Sequence, residues 1–460
     1  MNFLLKSMAI LGLWSATAAA QETLPLNKAV ATALDQNRML QSAAHDVTAS
    51  RWGKWNAVSH FLPRVDVGAG VTRIDPETER RANAAVDFIK AVAGPLGIPP
   101  GLLADLKPFA YRDTYSTDLT VVQPIYNGGA EIVGLSAAGT LEEKSEYAFQ
   151  DAEQDVIARA KIAYYTVLKA QELVALTREA AERNHRYLEM TQRRAAIGQR
   201  TQTDVLRWEV QYASSQGAVI TGENGLAMAR VQLNEVMGVD LDREFTLVPV
   251  SHPDSGLVLA SVDSASADSP GQSPLDPGFV DTHPSMRVME ANLRLADVNV
   301  DQSWVNFKPR INAAFQYGWE RNNTVALDGI RPWAISLNVS FPLFNGFGDF
   351  TNLEKARYEY KRTESQVEGF RRGLLMAATN ARLTLRAARQ RMETAQKAQE
   401  QALEVLNSLT RRYETGGASN VDLIDVQTAF TSARTDYIVA WYDLLIADTQ
   451  LARATGTLKP

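Results

Sequence analysis

The side chains best placed for chemistry are aspartates that follow two short turns. Asp422 and Asp425 come after the second turn, and Asp204 comes after the first. Ser419 and Thr201 stand three positions before the leading aspartates, a spacing that fits a capping box at the start of a helix. Capping does not explain Asp425, which lies beyond the first helical turn. Several such carboxylates around an axis would attract cations and raise one another's pKa, and both roles stay open for Asp422 and Asp204.

Enzymatic chemistry has little support in the residues. Cysteine is absent, so disulfides, thiolate metal sites and cysteine nucleophiles are excluded. The segment Asn127–Gly134 resembles a phosphate-binding loop only loosely, because no Lys-Ser/Thr pair follows it. The histidines lack the spacing of a metal site; they are His45, His60, His185, His252 and His283. We therefore predict no enzyme and no cofactor, and the net charge of −6 argues against nucleic acid as the main partner.

The N-terminal segment is predicted to be a secretory signal peptide over residues 1–20. A basic residue precedes the apolar run Met8–Trp14, and Ala18 and Ala20 resemble a cleavage site before Gln21. No later run of eighteen apolar residues is present, so we expect no spanning helix. Any membrane crossing would then use strands.

The rest of the chain is a tandem duplication. A Phe-x-Pro-Arg motif ends at Arg64 and again at Arg310. A Pro-[Ile/Leu]-[Tyr/Phe]-Asn-Gly motif begins at Pro124 and again, 218 positions later, at Pro342. The glycines of the two turns have the same offset. Such self-similarity predicts two copies of one structural unit.

Composition separates the two copies. The first repeat is predicted over residues 21–238 and the second over 283–460. The segment 239–282 between them is rich in proline, serine, aspartate and glycine, which is typical of a connector.

Proline marks the places where helices give way to strands. Helices predicted over 27–61 and 283–307 stop at Pro63 and Pro309, because proline removes a helix donor and favours extended geometry in the residue before it. Apolar and polar residues alternate after each proline, most clearly in the later stretch Trp333–Phe341. This period of two predicts strands with one apolar and one polar face.

Each repeat then returns through a second strand, about 115–123 or 333–341, which is predicted to end at Pro124 or Pro342. A long helix follows; residues 129–196 would extend about 100 Å. The two shorter helices of each repeat, stacked end to end, would match one long helix.

The long helices carry residues at alternating spacings of three and four, the pattern of packed helices in a coiled coil. In the second repeat these residues are Leu385, Ala388, Met392, Ala395, Gln399, Ala402, Leu406, Leu409 and Tyr413. In the first they are Val167, Ala170, Val174, Thr177, Ala181, Asn184, Leu188, Thr191 and Ala195. We interpret both sets as packing faces.

Four strands cannot close a membrane barrel alone, because exposed sheet edges would leave backbone groups unpaired in lipid. Bacterial barrels need about eight strands or more. Two copies of the chain would supply eight strands and three would supply twelve. Polar residues on one strand face favour a water-filled interior; they are Asp66, Thr72, Asn312, Gln316 and Asn338.

In combination, the duplicated strand motifs and the two glycine turns resemble the TolC family of outer-membrane efflux proteins, the outer-membrane factors, over nearly the whole mature chain. The resemblance implies a mixed α and β membrane protein and a homotrimer. Its 12-stranded transmembrane β-barrel, four strands per chain, would be continuous with a long periplasmic α-helical barrel. It also implies an exit duct in the outer-membrane lipid of a Gram-negative bacterium, reaching into the periplasm. A periplasmic adaptor protein and an inner-membrane transporter of the RND or ABC type would be its partners, in efflux or type I secretion.

The resemblance also gives roles to the turns. Asp422 and Asp425 match aspartates that constrict the closed pore at the periplasmic tip, and Asp204 is the first-repeat counterpart of Asp422. Gly198 and Gly416 would form the turns at which partners dock.

Closure of the tip involves a departure from the family pattern. Tyr413 matches a tyrosine that helps hold the tip closed. The family's basic residue in the second turn is replaced here by Ala418, and a base stands instead at Arg200 in the first repeat. We expect the closing contacts to be rearranged around Arg200.

Two other functions would each explain only part of the sequence. A periplasmic coiled-coil adaptor that bridges the membranes would explain the helices but not the alternating strands bracketed by proline. A general porin would explain the strands but would not need long helices.

Overall fold

Two long helices of equal length, which we number α5 and α9 in chain order, dominate the chain. They are Ala130–Ala196 and Gly348–Glu414, each of 67 residues, and both lack proline throughout. Each ends in a short turn, after which a second helix begins: α6, Gln202–Met237, or α10, Asn420–Ala454. The predicted repetition of a long helix, a turn and a shorter helix is confirmed.

A computed structural model describes residues 22–103, 106–250, 277–323 and 332–458. The helices before α5 are α1 (Leu26–Gln36), α2 (Arg38–Ser59), α3 (Pro76–Ala93) and α4 (Pro100–Leu103). Between α6 and α9 lie α7 (Phe279–Thr282) and α8 (Pro284–Val305). The strands are β1 (Glu22–Leu24), β2 (Arg64–Arg73), β3 (Asp113–Asn127), β4 (Phe245–Leu247), β5 (Arg310–Asn322) and β6 (Trp333–Ser340). In this described part, no helix combines the length and hydropathy needed to cross a bilayer.

The chain divides into two compact units. One comprises the described residues of 1–46, 146–288 and 368–460, and the other those of 47–145 and 289–367. We call them the helical unit and the sheet unit.

The sheet unit contains an antiparallel sheet in the order β2-β3-β5-β6. Pro63 and Pro309 stand immediately before β2 and β5, as the sequence predicts. Strands from the two repeats meet at the centre of the sheet, where Leu119 lies opposite Tyr317. The apolar side chains of the outer strands are 60–74% exposed; examples are Val65, Val67, Val71, Ile335, Leu337 and Val339.

The prediction that proline ends both returning strands is correct for Pro342 and wrong for Pro124. Strand β6 ends at Ser340, whereas β3 continues past Pro124 to Asn127. The register against β5 shifts between Pro124 and Tyr126. A local bulge lets the strand absorb a residue that has no amide hydrogen to contribute to the ladder.

The helix predicted over 27–61 is two helices, α1 and α2, separated at Asn37. The Oδ1 atom of Asn37 accepts hydrogen bonds from the amides of Met39 and Leu40 at 3.0 and 3.2 Å, and its Nδ2 donates to the Val236 carbonyl at 2.8 Å. Asparagine used in this way satisfies the free amides at the start of α2.

The predicted packing faces of α5 and α9 are largely buried in the helical unit. Val167, Val174, Leu385 and Met392 are each at most 3% exposed. At the edge of this core β1 pairs in parallel with β4, and the Tyr164 hydroxyl donates to the Leu24 carbonyl at 2.9 Å. The connector therefore contains a strand, while its residues 251–276 and the predicted signal peptide lie outside the described residues.

Candidate functional site

Two helix-ending turns in the helical unit position the predicted site residues. The 198 turn joins α5 to α6, and the 416 turn joins α9 to α10. Gly198 and Gly416 have φ angles of +78° and +82°, a left-handed geometry that favours glycine. The next amide, on Gln199 or Gly417, donates to the carbonyl five residues earlier at 2.8 Å. This pattern ends a helix, so the glycines explain why both long helices stop here.

Capping boxes start the helices that follow, as the sequence predicts. The Thr201 amide donates to Asp204 Oδ2 at 3.1 Å, and the Asp204 amide donates to Thr201 Oγ1 at 3.2 Å. Ser419 and Asp422 make the same reciprocal pair, with both distances 3.2 Å. Each pair satisfies two amides that the helix itself cannot.

These contacts also set the charge of the two carboxylates. Hydrogen bonds from the Ser419 side chain and backbone lower the pKa of Asp422, with a smaller contribution from the Arg412 charge. Desolvation alone would raise the pKa of Asp204, but hydrogen bonds from Thr201 and the nearby charge of Arg200 outweigh it and lower the pKa. Both aspartates are therefore anions at neutral pH.

Asp425 lies three residues beyond Asp422 on α10, and both side chains are exposed. Residues three apart share one side of a helix. The second repeat therefore presents two carboxylates together, only one of which is engaged in capping. Their expected place in a pore constriction stays a prediction.

Tyr413 lies at the centre of a buried cluster beside the 416 turn. Its side chain is 0% exposed, and its hydroxyl donates to Oδ1 of Asn420 at 2.5 Å. Tyr187 lies edge-on to Tyr413 at 5.9 Å and stacks on Trp208 at 5.1 Å. The other buried members are Leu188, Val205, Leu406 and Leu423.

Arg200 connects the 198 turn to this cluster. Its guanidinium lies 5.0 Å from the centre of the Tyr413 ring, within the range of a cation–π contact. Ala418, where the family's base was expected, packs against the apolar cluster. The structure thus brings Arg200 and Tyr413 together, while their role in closing a pore stays a prediction.

The sequence matches the outer membrane efflux protein family over residues 29–239 and 280–457. The chain belongs to this family. Protein CyaE of Bordetella pertussis is 26% identical over 355 residues, covering 74% of this chain and 70% of its own. Outer membrane protein TolC of Escherichia coli K12 is 22% identical over 409 residues, covering 84% and 80%.

Solved outer membrane proteins share the fold. The Campylobacter jejuni CmeC outer membrane channel superposes with a TM-score of 0.77 at 15% identity, over 94% of this chain and 85% of its own. The outer membrane protein VceC of Vibrio cholerae gives a TM-score of 0.72 at 16% identity, over 94% and 96%. The predicted resemblance to the TolC family is therefore confirmed.

Membership of the outer membrane efflux protein family places the chain in the outer membrane, extending into the periplasm. Its relatives are efflux or secretion channels rather than enzymes, and the periplasmic adaptor alternative is not favoured.

Sequence reasoning missed Asn420 in this site. Its side chain is 2% exposed and accepts a hydrogen bond from the Tyr413 hydroxyl. It also helps to lower the pKa of Asp204. Its Nδ2 makes no hydrogen bond of ordinary geometry in the described part of the chain. Asn420 therefore lies between the tyrosine of the second repeat and the aspartate of the first. Its only sequence signal is a polar residue directly after the helix cap, which is too common to identify a site.

Proposed function

We propose that three copies of this chain form an outer-membrane exit duct of a tripartite efflux or type I secretion system. The 12-stranded barrel would be continuous with a periplasmic α-helical barrel, and substrates would pass from a periplasmic or inner-membrane transporter to the exterior. A periplasmic adaptor and a transporter of the RND or ABC type would dock at the 198 and 416 turns.

The four-stranded sheet carries this proposal. Strands β2 and β6 are its two edges, and their apolar side chains are exposed. An exposed apolar face suits contact with lipid, but open edges do not, because their backbone groups would lack partners there. Four strands fall short of the smallest bacterial barrels, of about eight strands. Three copies would close the sheet with twelve strands.

The names of related proteins support outward transport of more than one kind of cargo. Alkaline protease secretion protein AprF of Pseudomonas aeruginosa is 22% identical over 375 residues. Cobalt-zinc-cadmium resistance protein CzcC of Cupriavidus metallidurans is 22% identical over 370 residues. The proposal for this chain is a duct, and its cargo is set by the transporter with which it assembles.

The proposed constriction lies at the 416 turn. Three copies of Asp422 and Asp425 would place carboxylates around one axis, and Asp204 of each first repeat would join them through its interaction with Asn420. Negative rings of this kind favour cations over anions in a narrow pore. Arg200 and Tyr413 would hold the turns in the closed arrangement.

The deciding experiment has two measurements on the full-length protein. We expect it to be extracted from outer membranes only by detergent, as a particle of three chains by light scattering, and to conduct ions in planar bilayers. A water-soluble monomer or hexamer without conductance would refute the duct and favour an adaptor. Disrupting the gene in its host, with drug sensitivity, metal sensitivity and secreted protein compared in parallel, would then identify the cargo class.

A further inference from the structure

The two strand-exit turns of the sheet unit have one backbone geometry. Gly128 and Gly129 follow β3 with φ angles of +67° and +89°. Gly346 and Phe347, 218 positions later, follow β6 with φ angles of +70° and +63°. Left-handed geometry is uncommon in a phenylalanine, so its presence shows that the second turn keeps the first turn's shape despite a different side chain.

The strand registers of the two repeats also correspond. Val67 lies opposite Leu119 in the first repeat, and Ala313 lies opposite Leu337 in the second. Ala313 follows Val67 by 246 positions, and Leu337 follows Leu119 by 218. Residues of β2 and β5 therefore correspond by an offset of 246, and residues of β3 and β6 correspond by an offset of 218. A contact between two such strands predicts the equivalent contact between the corresponding residues.

The first exit turn is covered within the chain by residues at the end of α8 and just before β5. A Cβ on Gly128 would lie 2.7 Å from the Val305 carbonyl oxygen and 3.1 Å from Cβ of Lys308. A Cβ on Gly129 would lie 4.0 Å from Lys308 Nζ. Val305 is only 2% exposed.

The second exit turn has no such cover. Among the described residues, no heavy atom lies within 4 Å of the position a Cβ on Gly346 would take. Phe347 is 68% exposed. Subtracting the offset of 246 from Val305 and Lys308 gives Ser59 and Leu62 as the residues that correspond to them for the second turn. Leu62 is itself 59% exposed.

We call the contact between an exit turn and the residues that cover it a seat. The residue types differ between the two seats on both sides of the contact. Where the covered seat combines Lys308 with a glycine, the uncovered seat combines Leu62 with Phe347. The lysine and glycine within the chain thus correspond to two apolar residues, Leu62 and Phe347, which both face solvent. Exposed apolar residues of this kind are typical of an interface with another protein chain or with lipid, and the correspondence with the covered turn favours another copy of the chain.

We infer that Phe347 and Gly346 of one copy pack on Leu62 and Ser59 of the next copy, with β6 pairing antiparallel to the neighbour's β2 so that Leu337 lies opposite Val71. This inference rests on the proposed trimeric duct. It follows from the in-chain pair Leu119 and Tyr317, to which Leu337 and Val71 correspond by the same offsets. The partner is a second copy of this chain because Ser59 and Leu62 belong to the first repeat, and those of the same chain do not cover the turn.

Cysteine cross-linking tests the register, since the chain contains no cysteine of its own. In the full-length protein in outer membranes, Leu337→Cys with Val71→Cys should give covalent dimers and trimers on oxidation. Leu337→Cys with Val67→Cys, four residues out of register, should stay monomeric. Leu119→Cys with Tyr317→Cys is the matched control and should close within one chain.

The seat is tested separately with asparagine, which tolerates left-handed geometry. Gly346→Asn should lower trimer recovery about tenfold, because its side chain meets the neighbour's Ser59. Gly97→Asn is the control: Gly97 also has φ of +70°, and no described heavy atom lies within 4 Å of its Cβ position. This control should assemble normally.

The outcomes separate this inference from the function it rests on. Conducting trimers that cross-link through Val67 rather than Val71, or that tolerate Gly346→Asn as well as Gly97→Asn, would overturn the register or the seat and leave the duct intact. Failure of the unmodified protein to form trimers would refute both.

Discussion

Replacing Tyr413 by phenylalanine tests whether the buried Tyr413–Asn420 hydrogen bond holds the 416 turn in place. The substitution keeps the ring under Arg200 but leaves Oδ1 of Asn420 buried without its donor. An unsatisfied buried acceptor costs about 1–3 kcal/mol. The 416 turn should therefore open about 5–150 times more often than in the unmodified protein.

Hydrogen exchange of the amides from 413 to 423 measures this opening in the detergent-solubilised protein. Tyr187→Phe is the control, because it also removes a hydroxyl from a ring of this cluster. The described residues show no hydrogen bond to the Tyr187 hydroxyl. Its exchange should be close to that of the unmodified protein. Single-channel recordings should show more frequent open events for Tyr413→Phe alone.

A double substitution makes the test specific to the pair. Combining Tyr413→Phe with Asn420→Leu replaces both partners by apolar groups, which is close to neutral when the shapes are similar. We expect the double variant to recover most of the lost protection. Normal exchange in Tyr413→Phe, or simple addition of the two single effects, would show that the hydrogen bond does not hold the turn.

Three further predictions concern charge. Asp422→Ala with Asp425→Ala should weaken cation selectivity and raise single-channel conductance, since the proposed ring loses its carboxylates; unchanged bilayer recordings would remove both residues from the constriction. Arg200→Ser should loosen the closed state by removing the nearer of two guanidinium groups over Tyr413, at 5.0 Å, while Arg194 at 5.8 Å remains; conductance equal to that of the unmodified protein would contradict the rearranged lock. Desolvation lowers the pKa of His283, despite an opposing hydrogen bond to the Arg453 carbonyl. Its folded pKa lies below the unfolded value of about 6.5, so stability should be complete above that pH and decline as pH falls below it. Thermal unfolding of His283→Asn, which keeps an acceptor for the Ser285 amide, should depend less on pH in this range; an equal dependence would mean that another group titrates.

Most of the secondary structure could be predicted because local rules decide it. Proline disrupts the interior of a helix and favours extended geometry in the residue before it, which explains why β2 and β5 begin directly after Pro63 and Pro309. The capping boxes at Thr201 and Ser419 involve residues three apart on one chain segment. The turn at Gly416 needs a left-handed residue, and glycine supplies it.

The errors arose where distant contacts override local preference. Pro124 remains within β3 because pairing with β5 continues around the bulge. The helix divides at Asn37, whose side chain also donates to the Val236 carbonyl, 199 residues away. β1 and β4 are only three residues each, too short for a period of two to be recognised.

The candidate site was predictable in the same uneven way. Tyr413 and Arg200 stand 213 positions apart, and only the folded chain shows that the Arg200 guanidinium lies over the Tyr413 ring. Asn420 carries no distinguishing pattern in the sequence. Its importance comes from burial between two turns, which is a property of the folded chain rather than of any segment.

The inferred contact between copies also explains why the second repeat of one chain would pair with the first repeat of another. If both repeats carried identical seats, contacts within a chain and between chains would have equal chemistry, and sheets could close in more than one arrangement. Lys308 beside Gly129 makes the in-chain seat polar and independent of association. Leu62 and Phe347 instead present apolar surface that is stabilised only when copies meet, and full burial of a side chain of this size contributes about 1.5–3 kcal/mol. The difference between the two seats therefore favours joining each second repeat to a first repeat of another copy.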